Sequence, residues 1–214
     1  MEALISTQTR WERSTDTGST NEYGETGRIL SQGRTSSNSW CQHECESHPS
    51  VQSAIAKIEE VTMVPRENYE SFQVLRYELG QKYVTHHDYG SEEKALACGP
   101  RILTFFLYLS DVEEGGETNF PELGISVKPR KGGALLWPST LSHGTPPYPA
   151  PLTLHLTLSR RLRSTADVQE IDSRTVHEAR PVVRGTKYAA NSWIHLYDFV
   201  TPNLWGCTGT FDEL

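Results

Sequence analysis

Long hydrophobic segments are absent from this 214-residue sequence. Its longest apolar stretch, residues 102–109, has the length of a β-strand, whereas a membrane-spanning helix needs roughly 18 to 20 apolar residues. The first twenty residues are polar and lack the apolar centre of a signal peptide. The sequence therefore predicts neither a membrane span nor a secretory leader within this chain.

Basic residues and cysteines are also scarce. Lys and Arg number 20 against 27 Asp and Glu, which gives a formal net charge of −7. Because nucleic-acid-binding domains usually carry a basic face, no nucleic-acid partner is predicted. Four cysteines are too few for a disulfide-built scaffold. Cys41 and Cys45 predict a local disulfide or free thiols, and a zinc site that adds His43 and His48 is the alternative.

Motifs of two common enzyme classes are missing as well. The sequence contains no Gly-x-Ser-x-Gly turn, which presents the nucleophile of many hydrolases. It also contains no Gly-rich phosphate-binding loop of the P-loop type. Neither covalent hydrolysis nor nucleotide hydrolysis is therefore predicted.

Three segments of the chain differ in composition. Residues 1–39 are rich in Ser, Thr, Gly, Glu and Arg with little periodicity, which predicts a weakly ordered polar lead-in. Residues 40–207 carry the apolar patterns and are predicted to form one domain, with a Pro-rich irregular insertion near 139–172. Residues 208–214 form a tail that ends in Phe-Asp-Glu-Leu, which resembles an endoplasmic-reticulum retrieval signal.

Apolar periodicity predicts one helix followed by several strands. Val51, Ile55 and Ile58 recur at helical spacing, so residues 50–61 are predicted to form an amphipathic helix that packs on a sheet. Alternating or continuous apolar patterns predict strands at 71–77, 101–109, 125–128, 134–137, 152–158 and 186–199. This order predicts an α+β, mainly β fold, either a β sandwich or a jelly roll with helical support.

His86 and Asp88 form the first chemistry-bearing motif. On a strand, residues two apart point to the same face, whereas His87 would point away. An imidazole and a carboxylate suit divalent iron, and one distant histidine would complete a facial triad with open coordination positions. The chain has three candidates for that distant ligand: His143, His155 and His177.

The neighbourhood of this motif is more specific than the motif itself. The ordered positions are Tyr77, Gly80, Gln81, Tyr83, His86 and Asp88, then Gly115, Gly116, Glu117 and Thr118, then Lys128-Pro129 and Lys131-Gly132, and finally His177, Lys187, Trp193 and His195. From about residue 34 to 207, this pattern strongly resembles the catalytic domain of prolyl 4-hydroxylases, of both the plant and algal single-chain type and the collagen-type α subunit. The resemblance is interrupted at 139–172, because about forty residues separate Pro138 from His177 where the family has a short loop.

The resemblance implies a double-stranded β-helix and assigns roles to individual residues. The implied Fe(II) ligands are His86, Asp88 and His177, and the last is preferred because it precedes Lys187 by ten residues, as in the family. The implied binding residues for 2-oxoglutarate are Lys187, which pairs with the distal carboxylate, together with Tyr108 and Tyr77. Three further positions match the pocket, namely Tyr83, Thr118 and Trp193. His195 is interpreted as a partly buried strand histidine.

The resemblance also implies an activity. It is the 4-hydroxylation of peptidyl proline by O2, coupled to decarboxylation of 2-oxoglutarate to succinate and CO2, with ascorbate as a further cofactor. The expected substrate is a proline-rich or collagen-like peptide in a polyproline II conformation, and the family places the protein in the endoplasmic reticulum. The alternatives are a lysyl or regulatory-proline hydroxylase, a catalytically silent jelly-roll binding module, and a structural zinc protein. The sequence makes no prediction of the oligomeric state.

Overall fold

The computed structural model describes residues 2–8, 10–20, 26–90, 96–141 and 170–204. The helices in these ranges are α1 (Glu2–Ser6), α2 (Glu44–Ser47), α3 (Pro49–Thr62) and α4 (Val200–Leu204). The strands are β1 (Glu12–Arg13), β2 (Asp16–Thr20), β3 (Thr26–Ile29), β4 (Ser37–Cys41), β5 (Phe72–Tyr77), β6 (Tyr83–His86), β7 (Arg101–Tyr108), β8 (Glu114–Gly115), β9 (Thr118–Phe120), β10 (Ile125–Val127), β11 (Ala134–Pro138), β12 (His177–Ala179), β13 (Val182–Arg184) and β14 (Lys187–His195).

Two antiparallel sheets form the body of the fold. The large sheet has six strands in the order β1-β4-β5-β14-β7-β11, and the small sheet has four in the order β10-β9-β12-β6. Two further two-stranded antiparallel pairs, β13-β8 and β2-β3, lie outside these sheets. The longest strand, β14, is bonded to β5 on one side and β7 on the other, so it is the centre of the large sheet.

Helix α3 covers one face of the large sheet. It begins after His48, whose ring Nδ1 accepts a hydrogen bond from the Ser50 amide, and proline occupies its first turn. It ends where Met63 adopts the left-handed conformation at φ 57°. Its apolar stripe packs against side chains on that face of the sheet, including Phe72, Val74, Leu103, Ala190 and Ile194. The predicted amphipathic helix over 50–61 is therefore confirmed.

The other face of the large sheet packs against the small sheet. Because side chains alternate along a strand, Leu75 and Tyr77 of β5 and Phe106 and Tyr108 of β7 point away from α3. They form a second apolar cluster with small-sheet and neighbouring residues, among them Phe120, Ala179 and Val182. The functional side chains lie in this space between the two sheets.

Most strand predictions are confirmed, with small changes in their bounds. The expected strands at 71–77, 101–109, 125–128, 134–137 and 186–199 correspond to β5, β7, β10, β11 and β14. The predicted strand at 152–158 lies outside the described residues, as does most of the insertion at 139–172 and the tail at 208–214. No helix in the described ranges is long and apolar enough to cross a bilayer.

The lead-in at 1–39 is more structured than predicted. Strand β4 pairs with β5 along its whole length and so extends the large sheet. In α1, Leu4 is buried against the core beneath α3. The compositional argument was wrong here because a polar strand can be held by pairing with an apolar neighbour. The domain boundaries at 40 and 207 stay predictions.

Cys41, the last residue of β4, forms a disulfide with Cys45 in α2. Cys41 and Cys45 are both buried, and their sulfur atoms are bonded to each other. This confirms the local disulfide, one of the two preferred interpretations of this pair. It also removes the thiolates that a zinc site with His43 and His48 would require.

Candidate active site

Three side chains from the small sheet converge on one point. His86 is the last residue of β6, and β12 pairs antiparallel with β6 so that His177 stands directly opposite His86. Asp88 follows just beyond the end of β6. Its carboxylate oxygens lie 3.9 Å from His86 Nε2 and 3.7 Å from His177 Nε2. One ligand atom from each residue lies within 4.8 Å of the others, which is close enough to hold one metal ion.

Backbone carbonyls set the orientation of both imidazoles. The Nδ1 of His86 lies 2.8 Å from the Val84 carbonyl oxygen, and the Nδ1 of His177 lies 3.0 Å from the Thr175 carbonyl oxygen. Because a carbonyl can only accept, each Nδ1 carries the proton and each Nε2 is left with its lone pair. Both Nε2 atoms face Asp88, so the rings are oriented as metal ligands before any ion binds.

The protonation states also suit a metal. Burial, aided by the neighbouring His177, lowers the pKa of His86, so this imidazole is neutral. Burial alone would raise the pKa of Asp88, but the two imidazoles and a 2.7 Å hydrogen bond from the Thr104 hydroxyl lower it. Two imidazole nitrogens and one carboxylate oxygen are the donor set of a facial triad, which suits divalent iron and leaves three positions open.

Tyr83 lies directly against the first histidine. Its ring is stacked on the His86 ring with centroids 3.6 Å apart and planes 19° apart. The Arg34 guanidinium covers Tyr83, with its Cζ 4.7 Å from the ring centroid, and is held by a 2.8 Å hydrogen bond to Gln73. The structure thus brings the predicted pocket residue Tyr83 to the metal site, together with Arg34, which the sequence analysis missed.

Lys187 begins β14 and lies in an aromatic chamber. The residue is fully buried, and within the described ranges its Nζ has no hydrogen-bond partner. The ring centroids of Tyr77, Phe106 and Tyr108 lie 5.3, 5.3 and 5.7 Å from that nitrogen. Burial lowers the pKa of Lys187 to about 7, against a weaker opposing effect of the Glu117 charge.

The Gly-Gly turn brings hydroxyl groups close to this chamber. Gly115 requires a positive φ of 77°, and a Cβ there would collide with the carbonyl oxygen of Pro181, which directly precedes the paired strand β13. Directly after the turn, Thr118 begins β9, and the Tyr108 hydroxyl lies 2.8 Å from its Oγ1. The predicted positions Tyr108 and Thr118 are therefore hydrogen-bonded neighbours beside Lys187.

An aromatic wall connects the two halves of the site. The ring of His177 lies 4.7 Å from Trp137 and 5.5 Å from Phe120, measured between centroids. Trp137 in turn contacts Phe106, whose ring is one of the three around Lys187. The triad and the lysine therefore line one apolar interior, in which electrostatic interactions are stronger than in water.

A buried ionic cluster lies at the opposite end of β14 from Lys187. Glu70 accepts hydrogen bonds from Arg101, at 2.5 and 3.1 Å, and from His195 at 2.8 Å. His195 also donates to the Gly99 carbonyl oxygen at 2.7 Å. Burial would raise the pKa of Glu70, but these cations lower it to about 2. Burial would lower the pKa of His195, but Cys98 and Glu70 raise it to about 10.

Trp193 is the last predicted pocket position. It lies two residues before His195 on β14, is almost fully buried, and has the Arg101 Cζ 4.0 Å from its ring centroid. The sequence analysis did not identify Glu70 or Arg101, and it interpreted His195 only as a partly buried strand histidine. A usable signal was the arginine at the start of the otherwise apolar strand β7, since a buried arginine requires a counter-ion.

The remaining histidine candidates are not part of the described site. His143 and His155, the alternatives for the distal ligand, lie outside the described residues. His87 points away from the triad, as predicted, and its Nε2 lies 3.2 Å from the Thr175 hydroxyl. The structure therefore groups the three residues that were preferred as ligands, while their role as iron ligands stays a prediction.

Comparison with known proteins yields one family. Residues 72–195 match the sequence model of the 2OG-Fe(II) oxygenase superfamily. The chain is 37% identical to probable prolyl 4-hydroxylase 9 of Arabidopsis thaliana, over 82% of this chain and 58% of that protein. It is 35% identical to prolyl 4-hydroxylase 13 of the same plant, over 72% and 53%. The chain thus spans little more than half the length of these relatives.

A solved structure gives the same family. The viral collagen prolyl hydroxylase of Paramecium Bursaria Chlorella virus-1, determined as a 2-oxoglutarate complex, matches with a TM-score of 0.57 and 27% identity, over 76% of this chain and 80% of that one. Oxygenases of this superfamily have a double-stranded β-helix fold, and the two antiparallel sheets of this chain correspond to it. The predicted jelly roll with helical support is therefore confirmed.

Proposed function

The chain belongs to the 2OG-Fe(II) oxygenase superfamily, and we propose that it catalyses 4-hydroxylation of proline residues in peptides. The reaction would consume 2-oxoglutarate and O2 and yield hydroxyproline, succinate and CO2. Bound iron supplies the activation of O2 in this chemistry. The relatives named as prolyl 4-hydroxylases support this choice of reaction.

One observation carries the proposal. A facial-triad donor set and a buried lysine, for which no described residue supplies a hydrogen-bond partner, are linked by the ring contacts of Trp137 with His177 and of Trp137 with Phe106. An unpaired buried amine is costly unless a ligand supplies its counter-charge. 2-Oxoglutarate has a keto-acid end that can chelate a metal and a distal carboxylate that can pair with an amine, so both ends have a counterpart here. His86, Asp88 and His177 would hold the iron, and Lys187 the distal carboxylate.

The surrounding side chains would complete the cosubstrate pocket. Tyr77, Tyr108 and Thr118 place hydroxyl-bearing side chains around the lysine, and hydroxyl groups can donate hydrogen bonds to a carboxylate. Phe106 and Trp137 exclude water between this end and the triad. This chain's contribution is thus to bind, orient and dehydrate the reactants.

The peptide would bind beside the metal, near Tyr83 and Trp193. Proline rings in a polyproline II conformation pack well on aromatic side chains, and both positions are aromatic. A lysyl residue or a regulatory protein proline would use the same iron and cosubstrate residues. Proline in a proline-rich or collagen-like peptide is preferred because the similar viral enzyme is described as a collagen prolyl hydroxylase.

Ascorbate and an endoplasmic-reticulum location are further parts of the proposal. Ascorbate would keep the iron in its ferrous state, as the resemblance implies. A disulfide between Cys41 and Cys45 suits an oxidising compartment, which supports the secretory pathway.

The test is succinate release by the Fe(II)-loaded protein with 2-oxoglutarate and a poly-proline peptide. We expect peptide-stimulated succinate in the wild type and none in His177→Ala, because two remaining ligands hold the metal weakly. His48→Ala is the matched control, since this histidine caps α3 outside the site. Wild-type protein that binds iron and 2-oxoglutarate but forms no succinate with proline or lysine peptides would instead indicate a silent binding module.

A further inference from the structure

Among the described residues, none supplies a counter-ion within hydrogen-bonding distance of the ammonium form of Lys187. Its side chain is fully buried, and no donor or acceptor in the described ranges reaches its Nζ. Nearly every other buried ionisable group in native proteins is paired or hydrogen-bonded. The charge of Lys187 should therefore depend on what the cosubstrate pocket contains.

The groups that face Lys187 do not supply a charge within hydrogen-bonding distance. On β5 and β7, burial raises the pKa of Tyr77 and of Tyr108, the latter to about 12, so both phenols stay neutral near neutral pH. Phe106 on β7 does not titrate. In the turn before β9, Glu117 acts only through its distant charge and forms no described hydrogen bond with the amine. The amine thus faces three rings and one remote carboxylate.

The rings cannot compensate for the lost hydration. The attraction of a cation to an aromatic face is small compared with the cost of removing an ammonium from water. The balance favours the neutral amine, which agrees with the lowering of the pKa of Lys187 to about 7. A carboxylate placed beside the nitrogen reverses this balance, because a paired charge in a dry site is strongly attracted.

We propose that 2-oxoglutarate binds together with one proton, which Lys187 takes up as the distal carboxylate arrives. The inference rests on the proposed function, since it assumes that this pocket holds the cosubstrate. It makes cosubstrate affinity dependent on pH through a residue that is not a metal ligand. It also separates dicarboxylates from monocarboxylic keto acids, because only a dicarboxylate brings the charge that retains the proton.

The size of the effect follows from the fraction of protein that is ready to bind. The apparent dissociation constant equals the intrinsic constant divided by the charged fraction of Lys187. With half-protonation near pH 7 in the free protein, that fraction falls from about one half at pH 7 to about 1% at pH 9. Affinity for 2-oxoglutarate should therefore fall about fiftyfold over this range, since both of its carboxylates stay ionised.

Calorimetry measures the proton directly. Protein loaded with Mn(II), which occupies an N/O site without turnover, is titrated with 2-oxoglutarate at pH 8 in phosphate and in Tris, whose ionisation enthalpies differ. We expect uptake of about 0.9 proton per bound molecule, the fraction of neutral Lys187 at that pH. 2-Oxopentanoate, which has the same keto-acid end and no distal carboxylate, should bind more weakly with no uptake above the background.

Two variants give independent readings. Lys187→Arg keeps a cation at every pH used, so it should bind 2-oxoglutarate without proton uptake and with an affinity that is flat from pH 7 to 9. Lys187→Met should bind 2-oxoglutarate no more tightly than 2-oxopentanoate, because the chamber then leaves the distal carboxylate without a counter-charge. If the arginine does not fit the chamber, the methionine variant and the two ligands on the wild type still decide the matter.

The outcomes separate this inference from the function beneath it. Tight binding of 2-oxoglutarate to the wild type with less than about 0.2 proton taken up at pH 8 would overturn the inference and leave the proposed function intact. Failure of the Mn(II)-loaded protein to bind either keto acid would overturn the proposed function and the inference with it. Uptake in both wild type and Lys187→Met would place the proton on another group and also overturn the inference.

Discussion

Lys187 and Glu70 are both buried ionisable side chains beside the same central strand, yet their surroundings differ. Glu70 and its partners Arg101 and His195, here called the Glu70 cluster, satisfy one another through hydrogen bonds of 2.5 to 3.1 Å. Lys187 has three rings near its nitrogen and no described hydrogen-bond partner. Glu70 and Lys187 are buried to a similar extent, but only Glu70 has hydrogen-bond partners among the described residues.

This difference separates charged groups that stabilise the fold, such as the Glu70 cluster, from a group such as Lys187 whose charge would be stabilised by a bound ligand. A fully paired cluster holds its members in their charged states, and the pKa of Glu70 falls to about 2 while that of His195 rises to about 10. An unpaired amine loses its charge instead, and the pKa of Lys187 falls to about 7. A strongly perturbed, unpaired group in an interior pocket is typical of a binding site.

Breaking the paired side should have the largest effect on stability. In Glu70→Ala, the partly buried guanidinium of Arg101 and the buried imidazole of His195 lose their common counter-charge. We expect the free energy of unfolding to fall by about 3–5 kcal/mol, measured by urea denaturation at pH 7. Glu67→Ala, an exposed neighbour on a 3-10 turn, should change it by less than about 0.5 kcal/mol. A loss below about 1 kcal/mol in Glu70→Ala would contradict the comparison.

Replacing the unpaired Lys187 should change the free energy of unfolding in the opposite direction and stabilise the protein. Lys187→Met replaces a buried amine without a partner by an apolar side chain of similar length, so metal-free protein should gain about 1–4 kcal/mol at pH 7. Loss of stability in this variant at pH 7 would mean that the amine has a partner.

The pH dependence of that gain follows from linkage. Between about pH 7 and 10.5 the unfolded chain binds a proton at Lys187 that the folded wild type does not. Wild-type stability gains from this residue as pH rises, so the advantage of Lys187→Met should shrink, by at most about 1.4 kcal/mol per pH unit. Urea denaturation of both proteins at several pH values measures the difference. A constant difference from pH 7 to 10 would contradict the account.

His195 should show the reverse trend. Its pKa in the fold is about 10, above its ordinary value of 6.5, so its contribution to stability is complete below about pH 6.5. That contribution is lost as pH rises through about 10. A rise in pH therefore weakens the Glu70 cluster, whereas it removes the cost of burying a charged Lys187. The contributions of His195 and Lys187 to stability should therefore change in opposite directions as the pH rises, because His195 is paired and Lys187 is not.

The smallest of these effects concerns the metal site, where Asp88 accepts a hydrogen bond and so resembles Glu70 rather than Lys187. Thr104→Val removes the hydroxyl that donates to Asp88 at 2.7 Å while it conserves volume. Outer-shell partners of metal ligands typically contribute 10- to 100-fold in affinity, so Fe(II) binding measured under anaerobic conditions should weaken by about tenfold. Thr85→Val, on the exposed side of β6, is the matched control and should not change affinity. Equal affinities for wild type and Thr104→Val would show that Asp88 needs no support.

Local patterns in the sequence predicted the elements that carry them. Helix α3 and strand β7 follow from apolar spacing, and His86 and Asp88 follow from strand alternation, because these depend on neighbours in the chain. His177 has no such pattern, since β12 has only three residues. It was chosen through family resemblance alone.

Long-range pairing explains what the sequence analysis missed. Glu70 and His195 are hydrogen-bonded across a separation of 125 residues, and Arg34 reaches Gln73 across 39. No periodicity links such positions, so each charged residue looks like solvated surface when viewed alone. The polar strand β4 was missed for the same reason, since its order comes from pairing with β5. The lack of a described hydrogen-bond partner for Lys187 can likewise be seen only in the three-dimensional structure.

The protonation of Lys187 tests the central claim most directly. Protein with 13C-labelled lysine ε-carbons and Zn(II) in place of iron is followed by NMR from pH 5 to 10, with and without 2-oxoglutarate, and Lys187→Arg identifies the signal. We expect Lys187 to titrate near pH 7 in the free protein, in line with its lowered pKa of about 7, and to stay charged above pH 9 with 2-oxoglutarate bound. A lysine that stays charged up to pH 10 without the cosubstrate would contradict the account.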